Sequence, residues 1–290
     1  MVGTILVTGA TGKVGREVVK QLVSAKSKVR AGIYNHARVD KIEIGGFEQV
    51  DLDFTKPEMI EAALNGVEKA FLVMPFRENM IEMIKNFLDV AKRKDVKHIV
   101  LLSMMGSDKP DGSSILKMHK QCEEYVIASG IPTTLLRPNW FMQDFIKYAQ
   151  TIKKPGMYQA PISLKGSISF VDIRDVATIA TMALLKSKGG EIFVLTGPQT
   201  FTHRQVEDNF AFVLGKRVIF HTISDDDFRQ TMLGYGVSDW HVHMMLEMYK
   251  EAEKGTFAEI DQTAAQLLGH KPETFKTFIK AYIKTFKDSA

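Results

Sequence analysis

The sequence predicts an α/β protein: a doubly wound parallel sheet followed by a smaller, mostly helical C-terminal lobe. Two observations carry this prediction. Short apolar runs closed by turn residues alternate strictly with helix-periodic segments from Thr4 to Arg137. The first such run leads into a glycine-rich loop that opens a helix, "LVTGATGKVG".

Taken in order, "TILVT" (Thr4–Thr8) reads as a buried strand closed by glycine. The helix after it places Val14, Val18, Val19, Leu22 and Val23 on one side. Strands follow at Lys28–Tyr34, "FEQVDLD", "KAFLVMP" (stopped by Pro75), His98–Met104 and "TTLLR". Between them, helices are expected over Lys56–Leu64, Met80–Lys94 and Ile115–Ser129, the last ended by Gly130. Beyond Arg137 the pattern loosens. "SISFV" and "EIFVLT" read as strands separated by a helix from Asp172 to about Leu185. Thr202 and Gln205 form a capping box before a helix that Gly215 closes. Two further helices start at Ser224-Asp and Ser238-Asp.

Composition narrows the function classes. Of 290 residues, 45% are hydrophobic, enough for a sizeable core. A net charge of +4 spread over this length is not a nucleic-acid footprint. The nearest cluster, Lys271, Lys276, Lys280, Lys284 and Lys287, reads as a solvated helix face. A single cysteine excludes an internal disulfide. The N-terminus lacks a basic stretch and a long apolar run, and no apolar run approaches a membrane span. A cytoplasmic setting is therefore expected, with no membrane and no direct nucleic-acid partner.

The glycine loop points to a dinucleotide. Gly9 permits a tight turn, Gly12 lets backbone approach a pyrophosphate, and Gly15 allows close packing of helix on strand. The loop's Ala10, Thr11, Lys13 and Val14 complete the expected contact set, with the helix N-terminus facing the phosphates. A P-loop is excluded by spacing. After the second strand no acid precedes Asp40; Tyr34, Asn35 and Arg38 stand there instead. Nothing among them repels a 2′-phosphate, and Arg38 or Lys13 attracts one, so NADP(H) is expected over NAD(H). Asp51 and Leu52 are expected beside the adenine, Met74 and Pro75 beside the coenzyme. Residues 1–150 are thus the expected NAD(P)-binding domain. Residues 151–290 are expected to hold the remaining strands, interleaved with a smaller substrate or partner lobe.

Together, "VTGATGKVG", "VDLDFTKPEMIEAALNGVEKAFLVMP", "VKHIVLLSM", "HKQCEEYVIASGIPTTLLRPNWFMQDF" and "SFVDIRDVA" resemble the NmrA-like branch of the atypical short-chain dehydrogenases/reductases. The likeness is greatest to its NAD(P)H quinone oxidoreductase and triphenylmethane reductase group. The resemblance runs on to "LLGHKPETFKTFI" and implies a Rossmann domain with a small C-terminal lobe that binds NADP(H). Members of that group often carry an arginine just past the second strand, where this chain has Tyr34.

Ordinary short-chain dehydrogenases use Tyr-x-x-x-Lys on the helix of "ILKMHKQCEEY". By the register of the resemblance, Ile115 occupies the tyrosine position and His119 the lysine position. Tyr125 lies on a different face. Without that dyad, hydride transfer to a simple ketone lacks its proton donor. Transfer to a quinone or a delocalised cationic dye does not need one. His119 is the candidate catalytic residue, expected to hold the nicotinamide ribose or to act as a weak acid. Ser103 falls near the family's active-site serine. Glu123 is expected to anchor the helix, and Cys122 to be a small buried residue. His119, Cys122 and Glu123 share a face, but no second ligand cluster supports a metal. Met105, Asn139, Trp140 and Phe141 are the candidate substrate contacts, suited to a flat apolar molecule.

The expected function is an NAD(P)H-dependent reductase of a small aromatic acceptor, such as a quinone or dye. The alternative is a non-catalytic NAD(P) sensor that regulates a protein partner. A homodimer is compatible with either.

Overall fold

A computed structural model describes residues 3–287. Along the chain run β1 (Thr4–Val7), α1 (Lys13–Ser24), β2 (Val29–Ile33), β3 (Glu48–Asp51), α2 (Pro57–Leu64), β4 (Val67–Leu72), α3 (Met80–Arg93), β5 (His98–Leu102), α4 (Ser114–Ala128) and β6 (Thr133–Pro138). They are followed by α5 (Ala149–Lys153), β7 (Met157–Ala160), β8 (Ser167–Ile168), α6 (Ile173–Lys186), β9 (Ile192–Leu195), β10 (Phe201–Thr202), α7 (His203–Leu214) and β11 (Ile219–Thr222). The last helices are α8 (Asp225–Gly234), α9 (Asp239–Glu253), α10 (Thr263–Leu268), α11 (Phe275–Ala281) and α12 (Ile283–Phe286).

Seven strands form one sheet in the order β3-β2-β1-β4-β5-β6-β9. The pairings from β3 through β6 are parallel, with Ile5 opposite Val29 and Phe71 opposite Val100. The chain winds outward from β1 to β3, then returns to place β4 on the other side of β1. That reversal is the topological switch point, where an open α/β sheet takes its ligand. The predicted fold class is observed, a Rossmann-type doubly wound sheet.

By its internal contacts the chain divides into two compact units. The first comprises residues 1–107, 117–138 and 173–194; the second comprises 108–116, 139–172 and 195–290. In the first, Leu6, Leu72, Leu101 and Leu135 from the strands pack with Ile60, Ile84, Phe87, Cys122 and Val126 from the helices. Burial of this order, roughly 25 cal/mol per Å² of apolar surface, is what holds helices against a sheet whose own hydrogen bonds are already made.

The second unit is organised around aromatic rings. Phe145 meets Phe275 at 5.1 Å, Phe170 at 5.3 Å and Tyr158 at 5.6 Å, each close to edge-on. α7 carries the predicted capping box of Thr202 and Gln205 and ends on Gly215 at φ 67°. Ser224 and Ser238 cap α8 and α9 as their sequence spacing predicts.

One expectation changes. "SISFV" yields only Ser167–Ile168 as strand, paired antiparallel to β10 and outside the large sheet. The backbone beyond it bonds elsewhere: the N–H of Ser169 donates to the Phe257 carbonyl and that of Val171 to Trp140. The segment after β2 forms a 3-10 helix over His36–Ile42, because the Asn35 side chain accepts from the Ala37 N–H. β7 and β11, a parallel two-stranded sheet, carry no periodicity strong enough to have been read from sequence.

Candidate functional site

The glycine loop folds tightly at the end of β1. Gly9 has φ +57°, a left-handed value that side chains rarely adopt, and its carbonyl accepts from the Gly12 N–H at 2.8 Å. A Cβ on Gly15 would lie 2.2 Å from the Gly9 carbonyl oxygen, so α1 packs directly against the turn's backbone. A Cβ on Gly12 would lie 3.0 Å from the same oxygen. Gly12 is also the N-cap of α1 and provides no side-chain cap. The positive end of the helix dipole therefore lies beside backbone stripped of side chains, which is the cradle a pyrophosphate requires.

The mouth beside this loop is held by Thr8. Its hydroxyl accepts from the Val73 N–H at 2.7 Å and donates to the Val73 carbonyl at 3.2 Å, tying the end of β1 to the end of β4. A cavity of about 240 Å³ lies at this place. Gly9, Thr11 and Gly12 line it from the loop, Tyr34 and Arg38 from the segment after β2, Leu52 from the end of β3, and Met74 and Pro75 from the end of β4. These predicted residues are brought together. Gly32, Asp53, Phe54, Val73, Arg77 and Met83 line the same cavity, and the sequence alone had not singled them out. Gly32 carried a usable signal: a glycine inside a buried strand marks close approach, and a Cβ there would meet Leu52 Cδ2 at 2.7 Å.

Charge around the cavity is unbalanced. The Arg77 guanidinium stands 5.0 Å from the centre of the Tyr34 ring, within cation–π reach. Neither Arg77 nor Arg38 makes an ion pair among the described residues. Asp53, the one acid in the lining, accepts from the N–H and hydroxyl of Thr55, and these bonds hold its carboxyl below the usual range. The donor set thus suits an anionic ligand.

Other predicted residues lie elsewhere. Ala10 and Val14 are buried behind the loop, and Lys13 is exposed on α1. Asn35 spends its side chain on the 3-10 helix. Asp51 pairs with His36 at 2.5 Å on the exposed surface and does not line the cavity. Ser103 is buried and donates to Glu123 Oε1 at 2.6 Å.

Glu123 is 1% exposed and is the hub of a buried polar cluster. Ser103 and Ser107 donate to Oε1, Arg137 Nε donates to Oε1 at 2.9 Å, and Arg137 Nη2 to Oε2 at 2.7 Å. Burial opposes the charge, but the bonds from Arg137, Ser103 and Ser107 outweigh it and hold the carboxyl below its ordinary value. This cluster ties α4 to β5 and β6. Half-buried His119, one turn back on α4, is lowered to about 4 by burial, with Glu123 opposing. Its imidazole is accordingly neutral at pH 7. Burial, and secondarily Glu123, pushes the Cys122 thiol up to about 12. Cys122 should therefore resist alkylation by iodoacetamide in the native protein at neutral pH and react once denatured; equal rates in both states would contradict its burial. Among the described residues, no group of three or more His, Cys, Asp or Glu side chains is placed as metal ligands, and no helix is long and apolar enough to cross a membrane.

Of the predicted substrate contacts, Met105 and Asn139 are buried and Trp140 and Phe141 are half-buried. Met105 is 6% exposed. Asn139 Nδ2 donates to Ser169 Oγ at 2.7 Å and to the Phe257 carbonyl at 2.9 Å. Trp140 meets Tyr249 at 5.2 Å and Phe257 at 5.9 Å, and its Nε1 is buried without a partner. Phe141 makes an isolated bridge with Val171.

The sheet order and the glycine cradle at its switch point are the architecture of Rossmann-type dinucleotide-binding folds. The chain belongs to the NmrA-like family, whose model matches residues 1–279. An NAD(P)H azoreductase from Xenophilus azovorans is 30% identical over 283 residues, 97% of this chain and 99% of that one. An NADPH-dependent quinone oxidoreductase from Escherichia coli, solved with NADPH, is similar in fold at a TM-score of 0.84 and 24% identity, over 96% of this chain and 99% of that one. Triphenylmethane reductase from Citrobacter sp., solved with NADP(H), has a TM-score of 0.83 at 21% identity over the same shares.

Proposed function

We propose that this protein is an NAD(P)H-dependent oxidoreductase that passes hydride to a small aromatic acceptor such as a quinone or dye, and that it prefers NADPH. The observation that carries the reading is the cavity beside the glycine loop, with two guanidiniums and one internally satisfied acid. The similarity to azo, quinone and triphenylmethane reductases supports it.

In this reading the first unit binds the coenzyme. The backbone of Gly9, Thr11 and Gly12 receives the pyrophosphate, while Ala10, Val14 and Gly15 keep the loop's shape. Leu52, Met74 and Pro75 bound the adenine half. Arg38 and Arg77 take the 2′-phosphate, with Tyr34 holding Arg77 in place and Lys13 adding charge at the loop. His119, neutral at pH 7, offers a hydrogen bond to the nicotinamide ribose rather than a proton to the acceptor. Ser103 and Glu123 fix the helix that carries it. When bound, the reduced nicotinamide supplies hydride. With Ile115 where a tyrosine acid usually stands, the acceptor must tolerate the charge it gains. A quinone does so as a delocalised oxyanion and a cationic dye by being neutralised. Trp140 and Phe141 contribute an aromatic surface for such a molecule.

Arg38→Ala and Arg77→Ala are each expected to weaken NADPH about tenfold and leave NADH unchanged, a loss of about 1.4 kcal/mol per phosphate contact. Competitive titration of both coenzymes reads this directly. An NADPH-to-NADH affinity ratio that survives the double substitution would remove both arginines from the site.

A further inference from the structure

The second unit holds a larger cavity, of about 490 Å³, that shares no lining residue with the coenzyme cavity. We propose that it is a separate binding site for a flat aromatic acid, a carboxylate or sulfonate on a fused or linked ring system.

Aromatic and methionine side chains make up most of its walls. Tyr148, Tyr158 and Phe228 present rings, with Tyr148 and Tyr158 at 5.5 Å from each other. Met232 from α8 and Met245 from α9 add polarizable, adaptable thioethers, which suit an aromatic face. The volume falls within the roughly 300–1,000 Å³ of small-molecule sites.

The charge is equally one-sided. Lys147 lines the cavity, none of the lining residues is acidic, and Lys147 makes no ion pair among the described residues. Its ammonium instead sits 4.8 Å from the centre of the Tyr148 ring. It is also felt in the interior: buried His203 is lowered to about 4, chiefly by burial and secondarily by Lys147. An ammonium over an aromatic wall, with no carboxylate among the cavity's lining residues, complements a ligand that is aromatic at one end and anionic at the other. A neutral aromatic would leave that charge unused, and a cation would be repelled.

The test is a fluorescence titration of the full-length, coenzyme-free protein with anilinonaphthalene sulfonate. Saturable binding of one probe per chain is expected, displaced by naphthalene sulfonate at least about tenfold better than by the neutral naphthalene methanol. Lys147→Glu, at an exposed position, should weaken the probe about tenfold. Met232→Trp, which fills the cavity, should abolish binding. Both variants should keep the parent's melting midpoint and NADPH affinity. If Met232→Trp does not fold, Lys147→Glu and the competition series decide alone. Non-saturating binding, equal displacement by the neutral compound, or an unchanged affinity in Lys147→Glu would overturn the proposal. Because no coenzyme is present, that failure would leave the reductase reading untouched.

Discussion

Replacing Glu123 with alanine is expected to cost about 3–5 kcal/mol of folding free energy. The substitution removes the two bonds that Glu123 makes with the buried Arg137 guanidinium and those it accepts from Ser103 and Ser107. Denaturant unfolding of the two proteins measures the difference. The double variant Glu123→Leu with Arg137→Met should recover part of the loss, because it removes both charges from the interior together. The pH dependence has a definite sign. The folded-state pKa of Glu123 lies below its unfolded value of 4.5, so its contribution is full above that pH. As pH falls below 4.5 and then through the folded value, the gap between wild type and Glu123→Ala should close. A gap that widens in acid would contradict the ion pair.

Gly15→Ala should act on binding. Its Cβ would meet the Gly9 oxygen at 2.2 Å and the Gly9 carbonyl carbon at 2.7 Å, both backbone atoms with no rotamer to yield. The turn must move, and the phosphate cradle moves with it. We expect NADPH affinity to drop by about a hundredfold, in line with the cost of displacing a preorganised contact by about an ångström. Far-ultraviolet circular dichroism should be unchanged. Calorimetric titration of NADPH reads the outcome, and near-parental affinity would mean that the loop does not hold the coenzyme.

The parts that sequence resolved and the parts it missed divide along a physical line. Gly9, Gly12 and Gly15 were legible because a local backbone demand leaves a mark in local sequence. The same is true of the capping box at Thr202 and the serine caps of α8 and α9. Arg77 was not legible. It follows Pro75 by two residues in a polar loop, and only the parallel pairing of β1 with β4 brings that loop to Tyr34. Arg137 was read as the end of a strand. That it closes on Glu123, fourteen residues back, depends on which face of α4 meets the sheet. β8 failed as a long strand because backbone partners at Phe257 and Trp140, distant in sequence, compete for its hydrogen bonds. Asp51 sat at the expected strand end, but its neighbour His36 claims it and Asp53 takes the place in the lining. The charge state of His119 also needed the fold: burial lowers it to about 4, so the imidazole is neutral at pH 7, which its residue type alone did not fix.

The most direct test of the reductase assignment is a single-turnover mixing experiment. The protein, saturated with a stoichiometric amount of NADPH, is mixed with a quinone, an azo dye and a triphenylmethane dye in turn, and nicotinamide absorbance is followed alongside acceptor colour. Loss of reduced-nicotinamide absorbance matched one-to-one by two-electron reduction of at least one acceptor is expected. The same reaction should slow sharply in Gly15→Ala. Tight NADPH binding with no oxidation by any acceptor above the protein-free rate would contradict the assignment.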